Sequence, residues 1–163
     1  MKKNYRKEQP RGVDTMDCRI IELLQQDGRM SNTDMARHLG VSESTVRLRL
    51  NRLIEEKYLQ IVAVSDPIKL GFDMVGDIRI QVDIKKMDSI LEELGTLKAL
   101  WFSVNTTGKT DIVTEFVVRS LDELNDLLFN KINKIDGVQS TETNIFLNFV
   151  KRRYDWGTAI EDK

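Results

Sequence analysis

The sequence predicts an α+β protein in two parts, an all-helical N-terminal part and a C-terminal part whose elements run β-α-β-β-α-β. Three observations predict it. Apolar residues recur at helical spacing up to about residue 58 and then, from Met74 onward, at every second position along the first of several short runs. The helical part is cut into three segments, each opened by a capping residue, with turns of only a few residues between them. Charge divides the same way: residues 1–65 carry 12 Lys+Arg against 9 Asp+Glu, and residues 66–163 carry 13 against 17. A basic part is joined to an acidic one.

The 163 residues, 40% hydrophobic and 31% charged, suit one medium globular domain or two small ones. No apolar run approaches the roughly 20 residues a membrane span needs. "MKKNYRKEQPRGV" is not followed by the apolar core of an export signal, so no membrane association and a cytoplasmic location are expected. Cys18 is the single cysteine, which excludes an intrachain disulfide and a Cys-based metal site and leaves it as a small apolar filler. No clustered His/Cys/Asp spacing, nucleophile motif or phosphate-cradling glycine loop occurs, so no metal, cofactor or enzyme activity is expected.

Residues 1–12 are polar and basic and read as a flexible arm. The first helix opens at Asp14, with Asp17 three positions on, and carries Ile20, Leu23 and Leu24 until Gly28. The second opens at Ser31 and presents Met35, Ala36 and Leu39 before Gly40. The third opens at Ser42 and keeps Val46, Leu50, Leu53 and Lys57 on one side, ending near Lys57 or Tyr58. A short helix and a longer one joined by the tight "LGVS" turn make a helix-turn-helix (winged-helix-like) domain over 13–60, whose second helix would enter a DNA major groove. "LQIVAVS" alternates as a strand, and with "DPIKLGF" it makes residues 61–73 a strand and linker.

From Met74, "MVGDIRIQVDI" puts Ile78, Ile80, Val82 and Ile84 on one face, and "MDSILEELGTL" is a helix. "ALWFSVNT" and "DIVTEFVV" are strands around the turn "TTGK". "SLDELNDLLFNKI" is a helix capped by Ser120, and "VQSTETNIFLNFV" a last strand. This order is the ferredoxin-like βαββαβ motif, assigned to 74–151, with 152–163 as a tail. Alternation then sends Ile78, Ile80, Leu100, Phe102 and Val104 toward the helices. Arg79, Gln81, Trp101, Ser103, Asn105, Glu142, Asn144 and Phe146 point the other way. That mixture of aromatics and paired polar groups fits a protein–protein interface, for which Arg79, Trp101, Ser103 and Phe146 are the named candidates.

The outer side of the third helix carries the DNA-binding candidates Ser42, Ser44, Thr45, Arg47, Leu48, Arg49 and Arg52, with Asn51 on the same side. Ser42 and Ser44, with the free N–H groups of the first turn, suit a phosphate oxygen. The arginines suit bidentate contact with guanine or phosphate, and Leu48, exposed amid polar neighbours, suits a thymine methyl. The plainer alternative pairs the arginines with Glu43, Glu55 and Glu56 on a solvated face. Arg37 and the arm residues Lys2, Lys3, Arg6 and Lys7 would add backbone contacts, and His38 has a surface or capping role.

"DTMDCRIIELLQQDGRMSNTDMARHLGVSESTVRLRLNRLIEEKYLQ", with "TTGKTDIVTEFVVRSLDELNDLL" and "GVQSTETNIFLNFVK", resembles the Lrp/AsnC (feast/famine) regulators over residues 13–151. The resemblance implies double-stranded DNA as partner, sheet-to-sheet dimers that assemble further into octamers, and an amino-acid effector. It implies an effector region of Gly108, Lys109, Thr110 and Asp111, with Thr141 and Thr143 nearby. Thr110 departs from the aromatic residue of the family's "G-x-Y-D" form, and Gly108 and Asp111 also suit a purely structural hairpin. Two other readings share the resemblance: an enzyme like the siroheme decarboxylases, and an architectural protein that coats DNA.

Overall fold

The computed structural model describes residues 12–158, so the arm residues Lys2, Lys3, Arg6 and Lys7 and the end of the tail lie outside the described residues. Two compact units are present, one made of residues 12–63 together with 151–158, the other of residues 64–150.

The N-terminal unit holds α1 (Thr15–Gln26), α2 (Asn32–Leu39) and α3 (Glu43–Glu55). Each start follows from its cap. Asp14 and Asp17 form a reciprocal capping box, each side chain accepting the other's backbone N–H at 2.9 and 3.1 Å. Ser31 caps α2 and Ser42 caps α3 through the N–H groups of Asp34 and Thr45. Gly40, at φ +67°, supplies the left-handed residue that ends α2 and lets the turn into α3 stay short. Ile20, Met35, Val46 and Leu53 have no exposed surface and are the centre of the core, with Leu50 packed against it. Cys18 is buried nearby.

Three expectations change here. Lys57 is exposed beyond the helix, at φ +62°, where the Tyr58 and Leu59 N–H groups turn back to the Leu53 carbonyl. Residues 59–65 form no strand, and Ile61, Val62 and Val64 are exposed. Alternating apolar sequence becomes a strand only where a neighbour accepts its backbone bonds, and none of the described strands does. The winged-helix-like description thus narrows, among the described residues, to three helices without a wing. The described part of the tail bonds to α1: Gln25 accepts the Gly157 N–H at 2.9 Å and donates to its carbonyl at 3.3 Å, and Thr158 donates to Glu22 at 3.0 Å.

The second unit is the expected βαββαβ. Strands β1 (Met74–Val82), β2 (Leu100–Asn105), β3 (Ile112–Val118) and β4 (Val138–Ile145) form an antiparallel sheet of order β2-β3-β1-β4. Helices α4 (Met87–Thr96) and α5 (Leu121–Asn125) contribute Ile90, Leu94 and Leu124 to a core with Ile78, Ile80, Ile112 and Phe116. α5 is shorter than expected because its chain widens into a π turn over Asp126–Lys131 and ends in a 3₁₀ turn over Ile132–Lys134. Ile84 does not continue the Ile78–Val82 face. The strand ends at Val82, and Ile84 sits 72% exposed in the turn after it.

β2 departs most from expectation. Leu100 pairs with Phe116, but a bulge at Trp101 shifts the register, so Phe102 pairs with Glu115, Ser103 with Thr114 and Val104 with Val113. One extra residue reverses which face each later side chain takes. Phe102 and Val104 therefore lie on the open face, and Ser103 and Asn105 on the face of buried Thr114 and Ile112.

β1 runs through the middle of the sheet, and Gly76 is where it passes closest to its neighbours. A Cβ there would stand 2.0 Å from the Asn144 carbonyl oxygen and 2.8 Å from the Phe116 ring. Gly76→Ala is expected to cost about 3 kcal/mol or more in urea unfolding, as overpacking against an immovable backbone does. Gly95→Ala, in α4 with open space around it, should stabilise by about 0.5 kcal/mol. Equal midpoints for the two variants would contradict this packing.

Candidate nucleic-acid interface

The outer side of α3 is a single stripe. Ser44, Arg47, Leu48 and Asn51 are all exposed, and at 100° per residue they lie opposite Val46, Leu50 and Leu53. Leu48 is 74% exposed although its helix has a core to offer. Arg47 pairs with Glu43 one turn back at a loose 3.7 Å and its side chain stays 60% exposed, so its guanidinium can reach another acceptor. Ser42 Oγ is occupied by its cap and lies 2.8 Å from both Ser44 Oγ and Thr45 Oγ1. The three hydroxyls form one cluster at the start of the helix. Arg37 pairs with Asp34 at 2.9 Å and stays exposed, and His38 Nδ1 lies 2.8 Å from the Asp34 carbonyl.

Arg49 and Arg52 are placed otherwise than the sequence suggested. Neither joins the exposed stripe, and their partner is not Glu43, Glu55 or Glu56. Arg49 Nη1 donates to both carboxylate oxygens of Asp14, at 2.8 and 2.6 Å, and to Asp17 at 3.0 Å. Arg52 donates to the other Asp17 oxygen. Asp17 has no exposed surface. A carboxylate removed from water must be matched by cations and donors, and these two arginines supply them. The helical wheel could not show this, because the matching partner lies 32 to 35 residues earlier on α1.

In the second unit the β2–β3 turn is drawn over the end of β1. Gly108 sits at φ +117°, the Asp111 carboxylate accepts the Val82 N–H at 2.9 Å, and the Thr110 carbonyl accepts Thr106 Oγ1 at 2.5 Å. Gln81 donates to the Lys109 carbonyl at 2.8 Å and accepts from Ser140 Oγ at 2.6 Å, tying the turn to β4. Gln81 was not singled out for this turn, and only the pairing of β1 with β4 reveals it. Thr141 and Thr143 pair with Ile80 and Ile78, on the helix side of the sheet, and Thr141 Oγ1 lies 3.2 Å from Asn133. The open side carries Phe102 and Val104 beside Asp77, Arg79, Glu142 and Asn144, with Asp77 accepting from Asn144 at 3.0 Å and lying 3.4 Å from Arg79. Trp101 is exposed at the bulge, and the Phe146 N–H extends the β4 pairing to the Val75 carbonyl. Of the four interface candidates, Ser103 is moved to the other face, where it lies 2.8 Å from Thr114 Oγ1.

Known proteins match over both units. Residues 13–54 match the AsnC-type helix-turn-helix domain, and residues 78–156 match the Lrp/AsnC ligand binding domain. The chain belongs to the Lrp/AsnC family. An HTH-type transcriptional regulator of Pyrococcus abyssi is 41% identical over 148 residues, 90% of this chain and 91% of that one. The regulatory protein AsnC of Escherichia coli is 32% identical over 137 residues, 83% of this chain and 90% of that one. The solved structure of E. coli AsnC superposes with a TM-score of 0.77 at 31% identity, covering 88% of this chain and 97% of that one. A transcriptional regulator of Neisseria meningitidis in complex with L-Met shares the fold, with a TM-score of 0.78 at 18% identity, covering 88% and 96%. Among the described residues of this Lrp/AsnC chain, no group of three or more His, Cys, Asp or Glu could hold a metal, and no helix is long and apolar enough to cross a membrane.

Electrostatics at the base of the Lrp/AsnC helix-turn-helix has a definite sign. Burial pushes the Asp14 carboxyl upward, but hydrogen bonds from Arg49 and from the Asp17 N–H, with the Arg49 charge, outweigh it and hold Asp14 below its ordinary 3.8. Asp14 therefore stabilises the fold above pH 3.8, and that contribution disappears as the pH falls through the lowered value. Asp14→Asn keeps a capping side chain and removes only the charge. It should unfold more readily at pH 7, by no more than about 1 kcal/mol for so exposed a pair. The gap should close below pH 3.8 in a urea series, and a gap that widens on acidification would contradict the pairing.

Proposed function

We propose that this chain is a sequence-specific transcriptional regulator that lays α3 in the major groove of double-stranded DNA. The exposed stripe of Ser44, Arg47, Leu48 and Asn51 carries the reading, since these side chains leave the core side of α3 and are exposed. Arg47 contacts phosphate or guanine, Leu48 a thymine methyl and the Asn51 amide an adenine edge. Ser42, Ser44 and Thr45 present their hydroxyl cluster to backbone phosphate. Arg37 adds a phosphate contact. The cytoplasm is the location that goes with this reading.

Two copies join through the open sheet face, with Arg79, Trp101, Phe102, Val104 and Phe146 at the contact, and such dimers assemble further toward octamers. The apolar pair Phe102 and Val104 amid charged neighbours supports this, because a strand face of that composition is uneconomical in water. The effector site lies at the β2–β3 turn, with Gly108, Lys109, Thr110 and Asp111 as its lining and Thr141 and Thr143 behind it. An amino acid is the class to test first, as the L-Met complex of the Neisseria protein is one instance of this fold holding one. Adding each amino acid in turn to the protein bound to the DNA upstream of its own gene reads out that response.

Leu48→Ala should weaken binding to a preferred duplex by about 1 kcal/mol, the lower end of what one base contact carries, with non-specific binding and the unfolding midpoint unchanged. Arg47→Ala should weaken both kinds of binding and reduce the salt slope by about 1. Full sequence preference in Leu48→Ala would remove α3 from the role of reader. Phe102→Asp should sediment as a monomer at concentrations where the parent is a dimer. A dimeric Phe102→Asp would place the contact elsewhere.

A further inference from the structure

We infer that Asp17 is a positioning residue that withholds Arg49 and Arg52 from DNA, so that among the described residues Arg47 is the guanidinium α3 presents to the phosphates, and the helix reads mainly through uncharged groups. This rests on the DNA-binding reading above and assigns a role that the arginine-rich sequence of α3 would not suggest.

Asp17 is the one charged side chain of the described residues with no exposed surface. It is reached from two sides: one oxygen accepts from Arg49, the other from Arg52 and, at 3.1 Å, from the Asp14 N–H. Asp14 takes the remaining Arg49 contacts. The two guanidinium side chains are only 31% and 34% exposed, whereas Arg47 is 60% exposed.

Swinging either arginine toward a phosphate would take one of two cations from a buried carboxylate, which is strongly unfavourable. A phosphate contact on the surface returns much less, because it exchanges water and counterions for one screened pair. The arginines therefore stay on Asp17. The consequence is geometric as well as electrostatic, since two bonds to one carboxylate on α1 fix the rotation of α3 about its axis. That rotation decides which residues form the outward stripe.

Salt dependence of binding separates this clamp from direct contact. Each phosphate neutralised by the protein contributes about 0.9 to the slope of log K against log salt on duplex DNA. With the full chain and a 30-base-pair duplex, Arg47→Gln should lower the slope by about 0.9 per protomer bound. Arg49→Gln and Arg52→Gln should leave the slope unchanged while lowering the unfolding midpoint. Asp17→Asn should steepen the slope and blur the preference among duplex sequences, because it releases Arg52 while Arg49 keeps its bonds to Asp14; loss of a purely structural residue would not steepen it.

A slope lowered by about 0.9 in Arg49→Gln or Arg52→Gln, or a slope unaltered in a folded Asp17→Asn, would overturn the inference. Should Asp17→Asn fail to fold, the arginine variants decide alone. In urea, without DNA, the double variant Asp17→Asn/Arg52→Gln should lose much less than the sum of the singles, and additive losses would also overturn the clamp. A chain that shows this coupling and binds no duplex would refute the DNA-binding reading, not the pairing.

Discussion

A carboxylate with no exposed surface constrains everything around it. Asp17 sits where α1 begins, and its burial forces Arg49 and Arg52 of α3 to converge on it. The same side chain closes the capping box that starts α1. One group thereby sets where α1 begins, how α3 lies against it and which side of α3 remains for another molecule. The apolar contacts of Ile20, Met35, Val46 and Leu53 supply most of the cohesion of this small core. Being non-directional, they fix the rotation of α3 less strictly than the ion pairs do.

The second unit is governed by hydrogen-bond register. β1 is paired along both edges, so its side chains are fixed from two directions, and Gly76 lets it pass the Asn144 carbonyl and the Phe116 ring. β2 has one neighbour and accommodates a bulge at Trp101. That irregularity turns Phe102 and Val104 out to the open face, so the apolar character of the proposed dimer surface is a product of the bulge.

Much of this was legible in the sequence. The caps at Asp14, Ser31, Ser42 and Ser120, the stop at Gly40, and the βαββαβ order all follow from local chemistry, which a single chain exposes. The inward set Val46, Leu50 and Leu53 and the outward Leu48 follow from periodicity alone. What was hidden depends on partners distant in sequence. The commitment of Arg49 and Arg52 to Asp14 and Asp17 needs the packing of α3 on α1, and the Gln81 bridge between Lys109 and Ser140 needs the strand order. The phase of β2 was hidden for a different reason: "ALWFSVNT" alternates well enough in either phase, and a bulge leaves no mark in it. "LQIVAVS" alternates too, but among the described residues it has no strand to pair with.

On the function proposed above, the outward stripe of α3 reads duplex DNA. Hydroxyl-radical footprinting of the parent protein on the DNA upstream of its own gene tests this most directly. Two copies related by a twofold axis should protect patches on one face of the duplex, about one helical turn or a multiple of it apart, at a preferred sequence. Even protection of unrelated DNA, or none at concentrations where the protein is folded and dimeric, would contradict it.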